Sequence, residues 1–316
     1  MKVLIAVTWA NRMVDDLRKA LPDIEFLVGE TQEEIDALAS EADVAIGSIS
    51  RESFLAAKNL KWIQSSSAGV EWMGRIPEIQ VSDVKVTNVR GAHATTIAEH
   101  TLGMLFFLTR GFGMLYENQK AHKWGAGPDY GGRGVAGLTM GVIGLGQLGR
   151  AIAKRAEACE MTVIAVDVHE VPKPDYVSEV GLLDKMDDLL QRSDVVVVAA
   201  PITDQTKGML GPDQLVQMKS SAYLVVISRG KIIDEPTLIQ MLNDGKLAGA
   251  ALDVTYTEPL PEDDPLWDAP NCFITPHCSP SSDQTHSNVK AIIIDNLKRY
   301  MAGEELVNPV NKKLGY

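Results

Sequence analysis

Gly144-Leu145-Gly146-Gln147-Leu148-Gly149 has the form G-x-G-x-x-G. Such a run carries chemistry only where a strand enters it and a helix leaves it. Both conditions hold: the apolar residues 140–143 precede it and a helical pattern over 148–158 follows. In that setting Gly144 permits a tight turn, Gly146 lets backbone approach a pyrophosphate, and Gly149 lets the helix pack on the strand. Together with Gln147 and Leu148 they aim a helix N-terminus at phosphate. A second predicted strand, 162–166, ends in Asp167, eighteen residues after Gly149. That is close to the spacing of about 20 for an acid that accepts hydrogen bonds from an adenosine ribose. A carboxylate there repels a ribose 2′-phosphate, and no arginine follows in 168–171. NAD is the expected dinucleotide, with NADP disfavoured and no metal ligand set in sight.

Elements able to position this turn run along the whole chain. Apolar runs at 3–7, 24–28, 44–46, 62–64 and 84–87 are predicted strands separated by helical stretches. Thr31-Gln32-Glu33-Glu34 has the form of a capping box, which marks one helix start. A strand–helix rhythm of this kind implies an α/β fold with a parallel sheet covered on both faces. The apolar-rich residues 98–116 read as one long helix, a crossing between domains. Gly125, Gly127, Pro128, Gly131, Gly132, Gly134 and Gly137 make 125–137 an irregular arm. Six further strands are predicted at 140–143, 162–166, 195–199, 223–227, 248–252 and 273–275, the count of a full dinucleotide fold. The run 195–199 has no polar alternation, as a central parallel strand requires. An amphipathic helix is expected over 288–302.

Composition narrows the partners. The 316 residues suit two domains, and 45% hydrophobic with 23% charged residues is an ordinary globular balance. A formal charge of −12 opposes non-specific attraction to nucleic acid or an anionic membrane surface. An anionic substrate must then be held by local cations or backbone N–H groups. Three cysteines, Cys159, Cys272 and Cys278, have no C-x-x-C spacing, so neither a disulfide framework nor a zinc site is indicated and a reducing cytoplasm is expected. The most apolar long segment, 101–116, contains Arg110 and falls short of the roughly 18 uncharged residues a membrane span needs.

Downstream of the glycine turn the chain resembles the D-isomer-specific 2-hydroxyacid dehydrogenase family. The resemblance rests on 194–201, Val226-Ile227-Ser228-Arg229-Gly230, Ala251-Leu252-Asp253-Val254 through Glu258-Pro259-Leu260, and Thr275-Pro276-His277, together with the glycine turn and Ile97-Ala98-Glu99-His100. It implies a catalytic set of Arg229, Glu258 and His277, and a glyoxylate- or hydroxypyruvate-reductase-like activity on a small 2-oxo acid. Reduction of such an acid leaves negative charge on the carbonyl oxygen and calls for a proton donor that titrates near neutrality, the role of His277. A carboxylate beside the imidazole favours its protonated form and holds its orientation, the role of Glu258. Arg229, permanently charged and forked, suits carboxylate and carbonyl oxygens together. Taken singly, each also reads as an ordinary turn, loop or cap residue.

The resemblance further implies that Asp253 meets the nicotinamide carboxamide, and that Ala200, Pro201, Ile227 and Ser228 line the cofactor. Ser67, Ala68 and Gly69 would bind the substrate, the last two through backbone N–H groups in a nest. Arg51, Arg90, Trp72 and Trp124 could reach the substrate, but solvated or packing roles are the first expectation for each. Two Rossmann-like or flavodoxin-like domains are implied: a substrate-binding domain of 1–98 plus 286–316 and an NAD-binding domain of 99–285, with the active-site cleft between them. A homodimer is implied too, its contact supplied by 98–116 and the arm. One departure stands out, Pro280 and Cys278 after the histidine, where the family commonly has a small residue. The alternative is an NAD(H)-sensing interaction protein, since corepressors of the C-terminal-binding-protein type resemble the same family. A formate dehydrogenase pattern would carry glutamine where this chain has Glu258.

Overall fold

The computed structural model describes residues 1–127 and 130–313, so Pro128 of the predicted arm lies outside the described residues. The chain divides into two compact units, Met1–His93 with Ser282–Tyr316, and Ala94–Ser281. Each unit is built on its own parallel sheet.

In the first unit the strands are β1 (Lys2–Ile5), β2 (Glu25–Val28), β3 (Val44–Ile46), β4 (Trp62–Gln64) and β5 (Lys85–Thr87). They pair all-parallel in the order β2-β1-β3-β4-β5, the flavodoxin-like arrangement. Successive residues of β1 point to opposite faces. Val3 and Ile5 join one buried cluster and Leu4 joins the other, which is why the run is apolar without alternation. Thr31 caps the helix Gln32–Leu38, and the Glu34 side chain reaches back one residue beyond the expected capping-box partner. Glu34 N–H donates to Thr31 Oγ1 (3.2 Å), while Glu34 Oε2 accepts from Glu30 N–H (2.7 Å).

The final helix, Asp283–Ala302, begins five residues earlier than its apolar pattern suggests, because Ser282 caps it by accepting from Thr285 N–H (3.0 Å). A polar cluster ties it to the sheet. Asn296, fully buried, donates to Gln64 Oε1 (2.7 Å) and Val307 O (3.1 Å) and accepts from Val307 N–H (2.7 Å). Gln64 Oε1 also accepts from Thr87 Oγ1 (2.8 Å), which in turn accepts from Trp62 Nε1 (2.9 Å). Beyond the helix, Thr87 bridges Pro309 antiparallel, so the chain end covers the β5 edge.

The second unit holds β6 (Thr139–Ile143), β7 (Thr162–Asp167), β8 (Glu179–Leu182), β9 (Val195–Val198), β10 (Tyr223–Val226), β11 (Gly249–Leu252) and β12 (Cys272–Ile274). All are parallel, in the order β12-β11-β10-β9-β6-β7-β8. Among the described residues this sheet thus has seven strands, not the expected six. The extra one, β8, is an edge strand whose residues are exposed or half-buried, so it carries no apolar run to read. β9 sits centrally as expected, with Val196 and Val198 in one cluster and Val195 and Val197 in the other.

The expected single helix over 98–116 is two: α1 (Ala94–Thr109) and α2 (Phe112–Lys120). Gly111, with φ +58°, caps α2 in the left-handed region and breaks the run. α1 and α3 (Gln147–Ala158) cover one sheet face through Leu102, Leu105, Ile152 and Ala156. On the other face α4 (Glu235–Asn243) contributes Leu238, Met241 and Leu242. No described helix is long and apolar enough to cross a membrane.

Truncating Asn296 strands the Val307 N–H and leaves Gln64 Oε1 with one donor, Thr87 Oγ1, in place of two. Asn296→Ala should lower the unfolding free energy by about 2 kcal/mol, read as a fall in urea midpoint at unchanged slope; an unchanged midpoint would count against the cluster as a structural tie.

Candidate active site

Because every strand of the second sheet runs the same way, the segments leaving the strand ends line up in sheet order. Asp167 ends β7, the glycine turn follows β6, Ala200 follows β9, Arg229 follows β10, Glu258 follows β11, and His277 follows β12. Ligands of open α/β sheets bind along this carboxyl edge, at the point where strand order reverses, here between β6 and β9.

Two of the glycines sit where a side chain would collide with neighbouring backbone, and the third faces open space. Gly144 has φ +95°, and a Cβ there would lie 2.6 Å from Ala200 N, so the turn and the end of β9 touch. A Cβ at Gly149 would lie 2.0 Å from Gly144 O. At Gly146 a Cβ would meet nothing within 4 Å: the backbone faces open space. Gly146 caps α3 without a side-chain bond, leaving the Gln147, Leu148 and Gly149 N–H groups as uncapped donors. Asp167 is anchored to this turn. Its Oδ2 accepts from Leu145 N–H (2.7 Å) and its Oδ1 from His169 N–H (3.2 Å). Arg150 holds the next peptide of the turn, donating to Leu145 O (3.0 Å).

Further along the edge, Ala200 and Ile227 are buried and Pro201 is exposed, its carbonyl accepting from Thr206 Oγ1 (2.6 Å). Ser228 Oγ is buried with no hydrogen-bond partner among the described residues, an orphaned polar atom. Half-buried Arg229 donates through NH1 to Ser228 O (2.7 Å). Gly230 explains how its loop meets the next one: a Cβ there would lie 2.1 Å from the Thr255 carbonyl carbon. Thr255 N–H in turn donates to Glu258 Oε1 (3.1 Å), and Glu258 Oε2 lies 2.7 Å from His277 Nδ1. Glu258 and His277 are therefore in direct contact, with side chains 38% and 40% exposed. Nδ1 is taken by the carboxylate, so Nε2 is the ring nitrogen left for a substrate.

Asp253, immediately after β11, is held inside the protein. Its side chain is wholly buried, and its oxygens accept from Thr275 Oγ1 (2.6 Å), Cys278 N–H (3.0 Å) and Ser279 N–H (3.1 Å). His100 from α1 reaches the same cluster, with Nε2 3.0 Å from Thr275 Oγ1. No spacing in the sequence pairs His100 with Asp253 or Cys278, so reading along the chain misses this group.

In the first unit, Ser67 and Ala68 are exposed and Gly69 half-buried. Ser67 Oγ donates to Gly69 O (2.7 Å) and Asn88 Nδ2 to Ala68 O (2.8 Å), which fix the turn. The Ala68 and Gly69 N–H groups donate to no other described residue, as an anion-binding turn requires. Arg51 is committed elsewhere, forked on the Glu78 carboxylate.

Open backbone at Gly146, an uncapped helix N-terminus, an acid beside the turn and the orphaned Ser228 hydroxyl together fit a dinucleotide. Residues 102–279, more than half the chain, match the family described as D-isomer specific 2-hydroxyacid dehydrogenase, NAD binding domain. The chain belongs to that family. Over 253 residues it is 34% identical to the glycerate dehydrogenase of Methylorubrum extorquens, covering 78% of this chain and 77% of the relative. It is 33% identical over 315 residues to the D-3-phosphoglycerate dehydrogenase of Archaeoglobus fulgidus, spanning 98% of this chain but only 59% of that longer relative. A D-isomer specific 2-hydroxyacid dehydrogenase from Xanthobacter autotrophicus Py2, crystallised with NADPH and MES, superimposes with a TM-score of 0.85 at 27% identity, over 100% of this chain and 99% of that one.

Within this dehydrogenase the loop carrying Glu258 is gripped from behind by a second carboxylate, Glu235, which accepts from Tyr256 N–H. Burial, with Asp264 and Glu258 nearby, pushes the Glu235 carboxyl above the ordinary carboxylate range. The folded state then holds this proton more tightly than the unfolded chain, so stability falls as pH rises from the ordinary value of about 4.3 through the raised one. Glu235→Gln keeps the acceptor and drops the charge. It should be more stable than the parent at pH 8, with the difference closing toward pH 4; a pH-independent difference between the two denaturation curves would contradict this.

Proposed function

We propose that this protein interconverts a small 2-oxo acid and its D-2-hydroxy acid using NAD(H), with hydroxypyruvate or glyoxylate as the substrate in the reducing direction. The observation that carries the reading is the Glu258–His277 contact of 2.7 Å at the carboxyl edge of a sheet that also bears the glycine turn. When bound, the reduced nicotinamide supplies hydride to the carbonyl carbon. His277 Nε2–H gives its proton to the carbonyl oxygen as negative charge develops there. Glu258 accepts from Nδ1–H throughout, which fixes the ring and stabilises the imidazolium before transfer. Arg229 offers a forked cation to the substrate carboxylate and carbonyl oxygen. In oxidation the same groups run in reverse.

NAD is preferred in this reading because Asp167 places a carboxylate against the turn through Leu145 N–H (2.7 Å), where a 2′-phosphate would be repelled. The NADPH complex of the Xanthobacter relative makes the comparison worth measuring. His277→Gln should lower kcat by about 10²- to 10⁴-fold while NADH still binds, as followed by fluorescence titration. In the same assay the parent should turn over faster with NADH than NADPH, and hydroxypyruvate and glyoxylate should be compared with phosphohydroxypyruvate. Near-parental turnover of the histidine variant would sink the assignment. Tight NADH binding with no turnover of any 2-oxo acid would favour a nucleotide-sensing role instead.

We also propose a homodimer and a cytoplasmic location. Phe112, Met114 and Tyr116 on α2 and Trp124 just after it are all exposed, and α2 buries none of its residues. A second copy of the chain would cover this apolar surface. The free thiols of Cys159, Cys272 and Cys278 suit a reducing compartment. Sedimentation at micromolar concentration should give twice the chain mass, reduced to the monomer by Phe112→Lys with Tyr116→Lys; a monomeric parent would refute the dimer.

A further inference from the structure

We propose that His100 is a positioning residue for proton transfer at His277, acting through Thr275 and the buried Asp253 carboxylate. The inference rests on the dehydrogenase reading and adds to it a residue on α1 that touches neither Arg229, Glu258 nor His277 in the contacts described above. It starts from an uncommon backbone conformation. His277 has φ +50°, in the left-handed region that disfavours a residue with a Cβ. Such a residue stays there only if its surroundings hold it.

The hold comes almost wholly from Asp253. His277 N–H donates to Asp253 O (2.8 Å) and Thr275 O (3.0 Å). Cys278 N–H donates to Asp253 Oδ1 (3.0 Å) and Ser279 N–H to Asp253 Oδ2 (3.1 Å). Three consecutive N–H groups thus wrap one residue, and the two donated by Cys278 and Ser279 close on its carboxylate. A charged group with no access to water needs its oxygens satisfied in a fixed geometry. Thr275 completes the set, donating Oγ1–H to Asp253 Oδ1 (2.6 Å).

That bond determines what His100 does. The Thr275 hydroxyl has one proton and spends it on Asp253, so at 3.0 Å from His100 Nε2 its oxygen is the acceptor. His100 therefore carries a proton on Nε2 and aims it at Thr275, which orients the hydroxyl toward the carboxylate. His100 Nε2 also lies 3.7 Å from Asp253 Oδ1. The chain His100–Thr275–Asp253 ends at the backbone that presents the imidazole, while Glu258 holds the ring itself at Nδ1 (2.7 Å). Misplacing either support misaligns Nε2 with the substrate.

The ligand atoms of His100, Asp253 and Cys278 lie within 4.8 Å of one another, a spacing that would also admit a metal ion. Here the donors are already committed: both Asp253 oxygens accept hydrogen bonds, and His100 Nε2 serves Thr275. Burial and the Asp253 charge also push the Cys278 thiol up, away from the thiolate a metal would take. The hydrogen-bonded brace accounts for every one of these contacts.

Steady-state kinetics of the full chain with NADH and hydroxypyruvate test the proposal. His100→Ala and Thr275→Val should each lower kcat about tenfold, short of the roughly 10²-fold that a misplacement of about 1 Å can cost, with both KM values within about twofold of the parent. His100→Gln, which keeps a donor at the Nε2 position, and Thr275→Ser should stay within about threefold. Because one chain is cut only once, the double variant should lose no more than the worse single variant. Should His100→Ala fail to fold, Thr275→Val and its serine rescue carry the same comparison. Parental kcat in Thr275→Val, or losses that multiply in the double variant, overturn the proposal. Histidine ring NMR, with the His277 signal assigned by His277→Gln, gives a readout independent of turnover. The signal should move in Thr275→Val and His100→Ala and stay in place in His100→Gln. Unmoved signals in the first two overturn the brace, whereas moved signals with no turnover in the parent chain refute only the dehydrogenase reading.

Discussion

A parallel sheet buried on both faces brings all its strand ends to one edge, and every chemical feature of the second unit follows from that constraint. Val195 to Val198 have no accessible side chain, so β9 cannot carry a ligand along its length. Polar and charged groups are confined to the segments that leave the sheet. Neighbouring strands are roughly 4.8 Å apart, so Arg229, Glu258 and His277, which follow β10, β11 and β12, are brought to adjacent stations although 48 residues of chain separate the first from the last. The glycine turn and Asp167 continue the same edge toward β7. Parallel pairing by itself therefore sets out the order of the uncapped N–H groups, the Ser228 hydroxyl, the Arg229 guanidinium and the His277 imidazole along the edge.

Close backbone approach is the second level of organisation. Loops along the edge would drift apart if side chains stood between them, and glycine removes that obstacle where two loops meet. Gly144 against Ala200 joins the phosphate turn to β9, and Gly230 against Thr255 joins the arginine loop to the glutamate loop. Hydrogen bonds to carboxylates then hold what the glycines allow to touch. Asp167 fixes the turn through Leu145, Glu258 and Glu235 grip Thr255 and Tyr256, and Asp253 gathers the backbone of 277–279. Four acids are spent on backbone N–H groups in a chain whose net charge is −12. The overall charge thus says little about the site, where uncapped N–H groups at α3 and the Arg229 guanidinium supply the positive potential an anionic ligand needs.

Local features were the legible ones. The glycine turn, the strand before it and the acid at the end of the next strand are fixed by short-range spacing, and β6, α3 and Asp167 follow it closely. The central strands could be read because burial on both faces removes polar alternation. β8 could not, since an edge strand needs no apolar run. Gly111 was visible as a residue, but whether a glycine inside an apolar stretch is tolerated or breaks a helix depends on the packing around it. It breaks this one with φ +58°. The candidate catalytic set was legible only through resemblance to a family, because Arg229, Glu258 and His277 taken singly look like turn residues.

The amino-acid sequence alone determined the α/β class, the phosphate-binding turn and the residue types available for proton transfer, since these depend on periodicity and on neighbours a few positions away. Tertiary structure decided which of those types meet. It put His277 Nδ1 on Glu258, enclosed Asp253 away from solvent, and drew His100 from a distant helix onto Thr275. Hydrogen bonds of that kind act over about 3 Å, whereas the residues they join are separated by up to 175 positions of chain. No local pattern encodes such a pairing; the stacking of α1 on the sheet and the order of the strands create it.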